Sequence, residues 1–379
     1  MDVGKYSEYT TSLIDHLLDK KVDHWDSAVR DLTAKALHNL TSLAPQYMVD
    51  NVIPKLIEQM KGTVLISRHG AILSLAHIVH ALAIEAQKQN KNLKDLIGEA
   101  PLEAIQSLAG VLEERKLYKG MGGEYMKQAT CVLIEKCSLA GVPFHGQPVV
   151  QTWLKILEEC SIYAEENIRS SAVEAFPPFF HEYFKVDTDE GKQTRDDLVA
   201  RYTSGLKADQ ETKCLGFASV LGCLPKCLVE GKFETIISAL ISGLDFTSAN
   251  CTWALARKSI VLAMAKLITA VGILPDADAS TGVCRSNINV IYKALINALD
   301  DYTMDRRGDV GAWVREASLT TLQGLTLLVV KVDSSLLSEE IVTDLITRMC
   351  QQASERIDRT RKVAGTTFAT LLHRKSHPP

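Results

Sequence analysis

Apolar residues recur along this chain at three- and four-residue spacing, interrupted at short intervals by glycine, proline and charged clusters. That period lays them on one face of a helix, so the stretches 9–18, 52–60, 150–157, 233–240 and 288–299 are predicted to be amphipathic helices. Between them lies a second kind of helix with a recurrent start. An apolar or small residue precedes a basic one, and small or apolar side chains follow at helical spacing. Arg30 is followed by Ala34 and Leu37, Arg68 by Ala71 and Leu75, and Lys127 by Ala129 and Leu133. The pattern returns at Arg169, Lys213, Arg257, Arg315 and Arg361. Sustained alternation of apolar and polar residues is missing, and no Asn-Gly or Asp-Gly joins β-branched runs, so strands are not expected.

Successive basic positions lie 38, 59, 42, 44, 44, 58 and 46 residues apart. Most of these spacings fall near the period of roughly 40–47 residues that marks HEAT and armadillo units. The fold class expected is therefore all-α: a HEAT/armadillo-type α-solenoid of about eight helical pairs, continuous over 1–379. The long gaps call for insertions, and the polar stretches 87–94, 186–194 and 275–287 are the candidates, the last two expected to be mobile.

A composition of 46% hydrophobic but only 6% aromatic residues suits a core of Ala, Leu, Ile and Val between stacked helices. The net charge of −4 argues against nucleic acid as the main ligand, because phosphate binding demands a basic face. No apolar leader opens the chain and no run of about 18 apolar residues is evident, so a membrane span is not expected. Nine cysteines, among them Cys131, Cys137, Cys214 and Cys251 in apolar helices, read as reduced core residues of a cytosolic protein.

Catalytic and metal-binding signals are weak. Cys223 and Cys227 have no second ligand pair at zinc spacing, and His77 and His80 share a helix face without a third ligand in the sequence. Gly120, Gly122 and Gly123 lack the strand and the Gly-Lys-Ser/Thr of a phosphate loop and read as a turn between helices. Lys116, Lys119 and Lys127 flank that turn and could receive an acidic partner side chain. Neither a metal nor a cofactor is implied, and the chain is not expected to be an enzyme.

The densest chemistry lies at 300–318, DDYTMDRRGDVGAWVREAS. Asp309 is placed as the N-cap of a helix carrying Val314, Ala317, Leu319, Leu322 and Leu325 on its apolar face, and Trp313 sits beside Arg315. Asp300, Asp301, Asp305, Arg306, Arg307, Asp309, Trp313 and Arg315 are the candidate partner-binding residues, since a charge-dense loop on a rigid scaffold commonly carries an interaction. The competing reading is an internal staple, with Asp305 and Asp309 as helix caps and Arg306 or Arg307 tying one repeat to the next.

The same block, together with HWDSAVRDLTAKALHNL at 24–40, SRHGAILSLAHI at 67–78, QATCVLIEKCSLAGVPFHG at 128–146 and QQASERIDRTRKVA at 351–364, resembles the tubulin-folding cofactor D family. The resemblance runs from about His24 to His373. It implies a non-catalytic cytosolic scaffold of the microtubule cytoskeleton. Such a scaffold captures β-tubulin, works with tubulin-folding cofactors E and C, contributes to GTPase activation of tubulin and binds an Arf-like small GTPase. Members of the family are longer, so the chain is expected to start and stop within an array. A generic HEAT scaffold or transport-type adaptor is the alternative that repeats alone would allow.

Overall fold

In a computed structural model, which describes residues 6–184, 188–246 and 252–373, the chain is built from helices paired in sequence order. It divides into two compact units, 1–184 and 185–379.

Unit 1 begins with α1 (Ser7–Lys20) and α2 (Ser27–Thr41). Its second pair sets α3 (Pro45–Tyr47), a π turn at Met48–Val52 and α4 (Ile53–Lys61) against the long α5 (Leu65–Lys88). The third joins α6 (Leu93–Ile97) and α7 (Glu99–Glu114) to α8 (Gly123–Leu139), and the fourth is α9 (Pro148–Ser161) with α10 (Glu166–Tyr183). Packing is closest between successive second helices, α2 on α5, α5 on α8 and α8 on α10. By length and composition α5 could cross a membrane, which sequence reading did not anticipate. It is the central helix of the unit, with 83% of its apolar window buried, and its apolar circumference serves neighbours on every side. Trp153, Phe176, Phe179 and Phe180 close the far end of the core.

Unit 2 repeats the scheme. Its pairs are α11 (Asp189–Gly205) with α12 (Glu211–Leu221), then α13 (Lys226–Val229) and α14 (Phe233–Ser242) with α15 (Ala254–Val271). After these come α16 (Ile288–Asn297) with α17 (Ala312–Val332), and α18 (Glu339–Ala353) with α19 (Asp358–Leu372). Again the second helices α12, α15, α17 and α19 stack in order. The described residues thus contain the expected eight pairs of an α-solenoid.

One expected loop is largely helix, and another is a loop. From Asp189 onward the stretch 186–194 is the start of α11, capped by the Thr188 hydroxyl, which accepts from the Gly191 amide at 3.1 Å. The stretch 275–287 is an internally bonded loop. Leu274 N donates to Val283 O at 2.7 Å, Phe233 N reaches Ser280 O at 2.9 Å, and the Asn287 side chain bridges Gly282 O and Cys284 N. The loop's own Val283 and Cys284 are fully buried, and these hydrogen bonds satisfy backbone polarity within the fold. Cys131, Cys137 and Cys214 are buried as expected, Cys227 and Cys350 are exposed against the expectation of a core position, and Cys251 lies outside the described residues.

Candidate functional site

The recurrent basic residue has a structural task. Four of the eight arginines and lysines reach back over their own turn to main-chain oxygens five or six residues earlier. Arg30 Nη1 donates to His24 O at 2.6 Å and Trp25 O at 2.9 Å, and Arg68 Nη2 to Gly62 O at 2.6 Å. Arg169 bonds Tyr163 O at 2.7 Å and also Ala164 O, and Arg361 bonds Glu355 O and Arg356 O at 2.7 and 2.9 Å. Each guanidinium satisfies the carbonyls stranded where the first helix of a pair gives way to the second. Lys127 instead lies over the Tyr163 ring at 3.9 Å, and Lys213 pairs with Asp209 at 3.5 Å.

In the 300–318 block this device becomes a network. Arg315 is fully buried and donates through Nη1 to Asp301 O at 2.7 Å, through Nη2 to Asp309 Oδ2 at 2.9 Å and through Nε to Gln352 Oε1 at 3.1 Å. Its guanidinium stacks 4.1 Å from the Tyr302 ring. The Asp301 carboxylate, also fully buried, accepts from Arg257 Nε at 2.7 Å, while Arg257 Nη2 reaches Thr303 Oγ1 at 2.9 Å. Gln352 donates onward to Leu299 O at 3.0 Å, and Arg348 pairs with Asp300 at 2.6 Å. Helices α15, α17 and α18 are thereby tied through one loop.

Asp301 and Arg315 cannot meet a partner at the surface, and Asp309 serves the interior. Asp309 Oδ1 accepts from Ala312 N at 3.1 Å, so it caps α17 from three residues ahead of that helix's first residue. The approach to the helix is a small hairpin, Met304–Asp305 paired antiparallel with Gly308–Asp309, turning at Arg306 and Arg307. Gly308 takes φ +101°, which favours glycine. Gly311 is required for a different reason: a Cβ there would stand 2.1 Å from Asp301 O.

Neither Arg306 nor Arg307 ties one repeat to the next; Arg257 and Arg315 do. Asp305 caps no helix and instead holds the hairpin turn, accepting from Arg307 N at 2.7 Å and from its Nε and Nη2 at 2.9 and 2.6 Å. That pairing keeps the Asp305 carboxyl below its ordinary pKa and raises that of Arg307. The guanidinium lying on Trp313, at 4.9 Å, is that of Arg307 and not the adjacent Arg315. What the block presents outward is Met304, 64% exposed, with Tyr302, Arg306 and Arg307. Sequence reasoning missed Arg257, Arg348 and Gln352. The recurrence of Arg257 at the start of a second helix was the available signal, while nothing local marks Arg348 or Gln352.

No group of three or more metal-ligating side chains that could hold an ion occurs among the described residues. A third imidazole does join His77 and His80: His38 of α2 donates from Nδ1 to His77 O at 2.9 Å, and its ring lies 5.2 Å from that of His80. Burial, with Lys136 and His38 nearby, depresses both His77 and His80 to about 4. A cleft of about 620 Å³ in unit 2 is bordered by Thr203, Lys207, Ser238, Asp245, Trp253 and Arg257.

Comparison with known proteins agrees with the resemblance in the sequence. A family model described as tubulin folding cofactor D C terminal matches residues 343–379. The "Tubulin-specific chaperone D" of Dictyostelium discoideum is 22% identical over a 470-residue alignment that takes in 98% of this chain and 31% of that protein. The chain is similar to the tubulin-folding cofactor D proteins. "Tubulin-folding cofactor D" of Schizosaccharomyces pombe is 33% identical over 78 residues, 21% of this chain and 7% of that protein. The chain therefore spans about a third of the length of the Dictyostelium relative or less. Among solved structures, a chain from the structure of Kap95p with RanGDP superposes with a TM-score of 0.57 at 12% identity, covering 97% of this chain and 42% of that one. At that identity the likeness shows the helical-repeat fold alone. The stretch that matches the cofactor D model contains Arg348, Gln351 and Gln352, whose side chains reach from α18 into the 299–302 turn.

Proposed function

We propose that the chain is part of a non-catalytic tubulin-folding chaperone of the cytosol and that the hairpin 304–309 is a contact for β-tubulin or a partner cofactor. The observation that carries the reading is kinship with tubulin-specific chaperone D along 98% of the chain. The hairpin supports the placing: its base is fixed by the buried Arg257–Asp301 and Arg315–Asp309 pairs, while Met304, Arg306 and the Arg307–Trp313 stack face solvent. A rigid base beneath an aromatic and arginine tip suits a binding hot spot, because little freedom remains to be lost on association.

The test is capture of purified tubulin by the tagged chain, with Met304→Ser plus Arg306→Glu as the comparison. Loss of capture with an unchanged unfolding midpoint supports the hairpin contact. Equal capture moves the contact elsewhere, and no capture by the wild type removes tubulin as a direct partner of this part. A transport-type adaptor rests on fold alone; preference for importin-type cargo over tubulin would favour it.

A finer reading concerns GTP hydrolysis. Arg307 is engaged by Asp305, whereas Arg306 is exposed and makes no hydrogen bond or ion pair among the described residues, which leaves it available to a nucleotide site. An arginine entering such a site raises turnover by orders of magnitude. Unaltered GTP turnover of tubulin with cofactors C and E when Arg306→Ala replaces the wild type would remove this role. Binding of cofactor E, cofactor C and an Arf-like GTPase belongs to the same proposal and is open to the same capture assay.

A further inference from the structure

The loop 115–122 between α7 and α8 is fixed on its inner side and open on its outer side. Tyr118 is buried with its hydroxyl 3.0 Å from Thr130 Oγ1, and Leu117 N donates to Leu112 O at 2.8 Å. A Cβ on Gly122, whose φ is +84°, would stand 2.4 Å from Leu65 Cδ2, and one on Gly123 would stand 2.5 Å from Tyr118 O. Held in this way, the loop leaves Met121 wholly exposed at its tip, beside Lys116 and Lys119, which are exposed and form no ion pair among the described residues.

Neighbouring turns of unit 1 extend the same edge. Arg115 Nη1 donates to Lys61 O at 3.0 Å, joining the loop to the turn that exposes Val64. Arg30, which holds the Trp25 carbonyl, lies 5.4 Å from the Tyr125 ring in the first turn of α8, and Trp25 itself is 79% exposed. Three consecutive turns therefore each present a large apolar side chain, with cations between them. Apolar groups presented together on a rigid, charged edge mark an interaction surface.

We propose that this edge of unit 1, with Trp25, Val64 and Met121 as anchors and Lys61, Lys116 and Lys119 between them, docks an extended acidic protein segment. Stacked helices lie about 10 Å apart, and a chain in the polyproline II conformation advances about 3.1 Å per residue with three residues per turn, so an apolar side chain at every third position meets each turn. Carboxylates at the positions between them face the lysines. Glu114 and Glu124 flank the loop on either side and would repel a broad anionic sheet such as a bilayer, which favours the narrower ligand. The surface is separate from the unit 2 hairpin, and its test does not depend on tubulin.

The full chain is titrated into a fluorescein-labelled peptide of repeated Glu-Glu-Phe, read by anisotropy at low and high salt, beside a Lys-Lys-Phe repeat and phosphatidylcholine–phosphatidylserine vesicles. Binding of the acidic peptide alone is expected, weakened by salt and weakened at least ~10-fold by Lys116→Glu plus Lys119→Glu and again by Trp25→Ser plus Met121→Ser. All four side chains are exposed, so the variants should keep the wild-type circular dichroism, and Arg306→Glu should leave the affinity unchanged. Failure of the acidic peptide to bind, equal binding by the variants, or vesicle binding without peptide binding would each overturn the proposal.

Discussion

Both units close their turns with an arginine at the head of a second helix, yet they link neighbouring repeats with different chemistry. In unit 1, Arg30 Nε donates at 2.9 Å to Nδ1 of His69, whose edge meets the Tyr125 ring at 5.2 Å. In unit 2, Arg257 and Arg315 converge on the backbone and side chain of Asp301, with Asp309 and Gln352 completing the shell. One link is a neutral imidazole that must stay unprotonated to accept; the other is a buried ion pair. The same repeat grammar therefore carries different vulnerabilities, and each can be provoked separately.

The largest effect is expected from Asp301→Ala. It takes the Asp301 carboxylate away from the Arg257 guanidinium, only 3% exposed, and removal of one partner of a buried pair costs about 3–5 kcal/mol. Hydrogen-exchange mass spectrometry should show protection lost in α15 and α17 while α2 and α5 keep theirs; retained protection in unit 2 would mean that the ion pair is replaceable. Gly70→Ala should do the reverse. Its Cβ would stand 1.7 Å from Val22 O, and relief by backbone movement costs about 3 kcal/mol, confined to α2 and α5.

Acid should then separate the units without mutation. Burial, with Arg30 adjacent, depresses His69 to about 3, and burial beside Lys136 depresses His77 to about 4, against an ordinary value near 6.5. The folded state holds both neutral, so between these limits the unfolded chain binds more protons. Their stabilising contribution is complete above about pH 6.5 and falls as pH drops toward 4. At pH 5 the loss is up to about 2 kcal/mol for each imidazole. Exchange protection in α5 should fall by that pH, and it should stay constant if Arg30 and His69 are held by other contacts. The smallest effect is expected at the hairpin. Arg307→Ala should leave the unfolding midpoint unmoved, since its partner Asp305 is at the surface.

The α-solenoid was legible because its cause is local: a helical period repeated, with a basic residue marking each second helix. The hairpin was not. Strands of two residues leave no periodic trace, and what shapes them is the close approach of Gly311 to the Asp301 carbonyl. The charge density of the 300–318 block was legible, but its division into interior and exterior halves was hidden, because Arg257 lies 44 residues from Asp301 and Gln352 lies 37 from Arg315. Asp309 came closest, since a capping acid is a local signal even when it acts from three residues away. The π turn at Met48–Val52 and the ordered 275–287 loop likewise arise from packing that a window of sequence does not contain.

The turn-closing arginines also bear on how quickly the array can assemble. Arg30, Arg68, Arg169 and Arg361 each close a ring of five or six residues, so the chain entropy surrendered is small and such contacts can form on the time scale of the helices themselves. Links such as Arg257 to Asp301 must wait for a segment seven times longer to return. Helical pairs should therefore ripen first and dock afterwards, which gives the chain the low contact order of a fast folder despite its length.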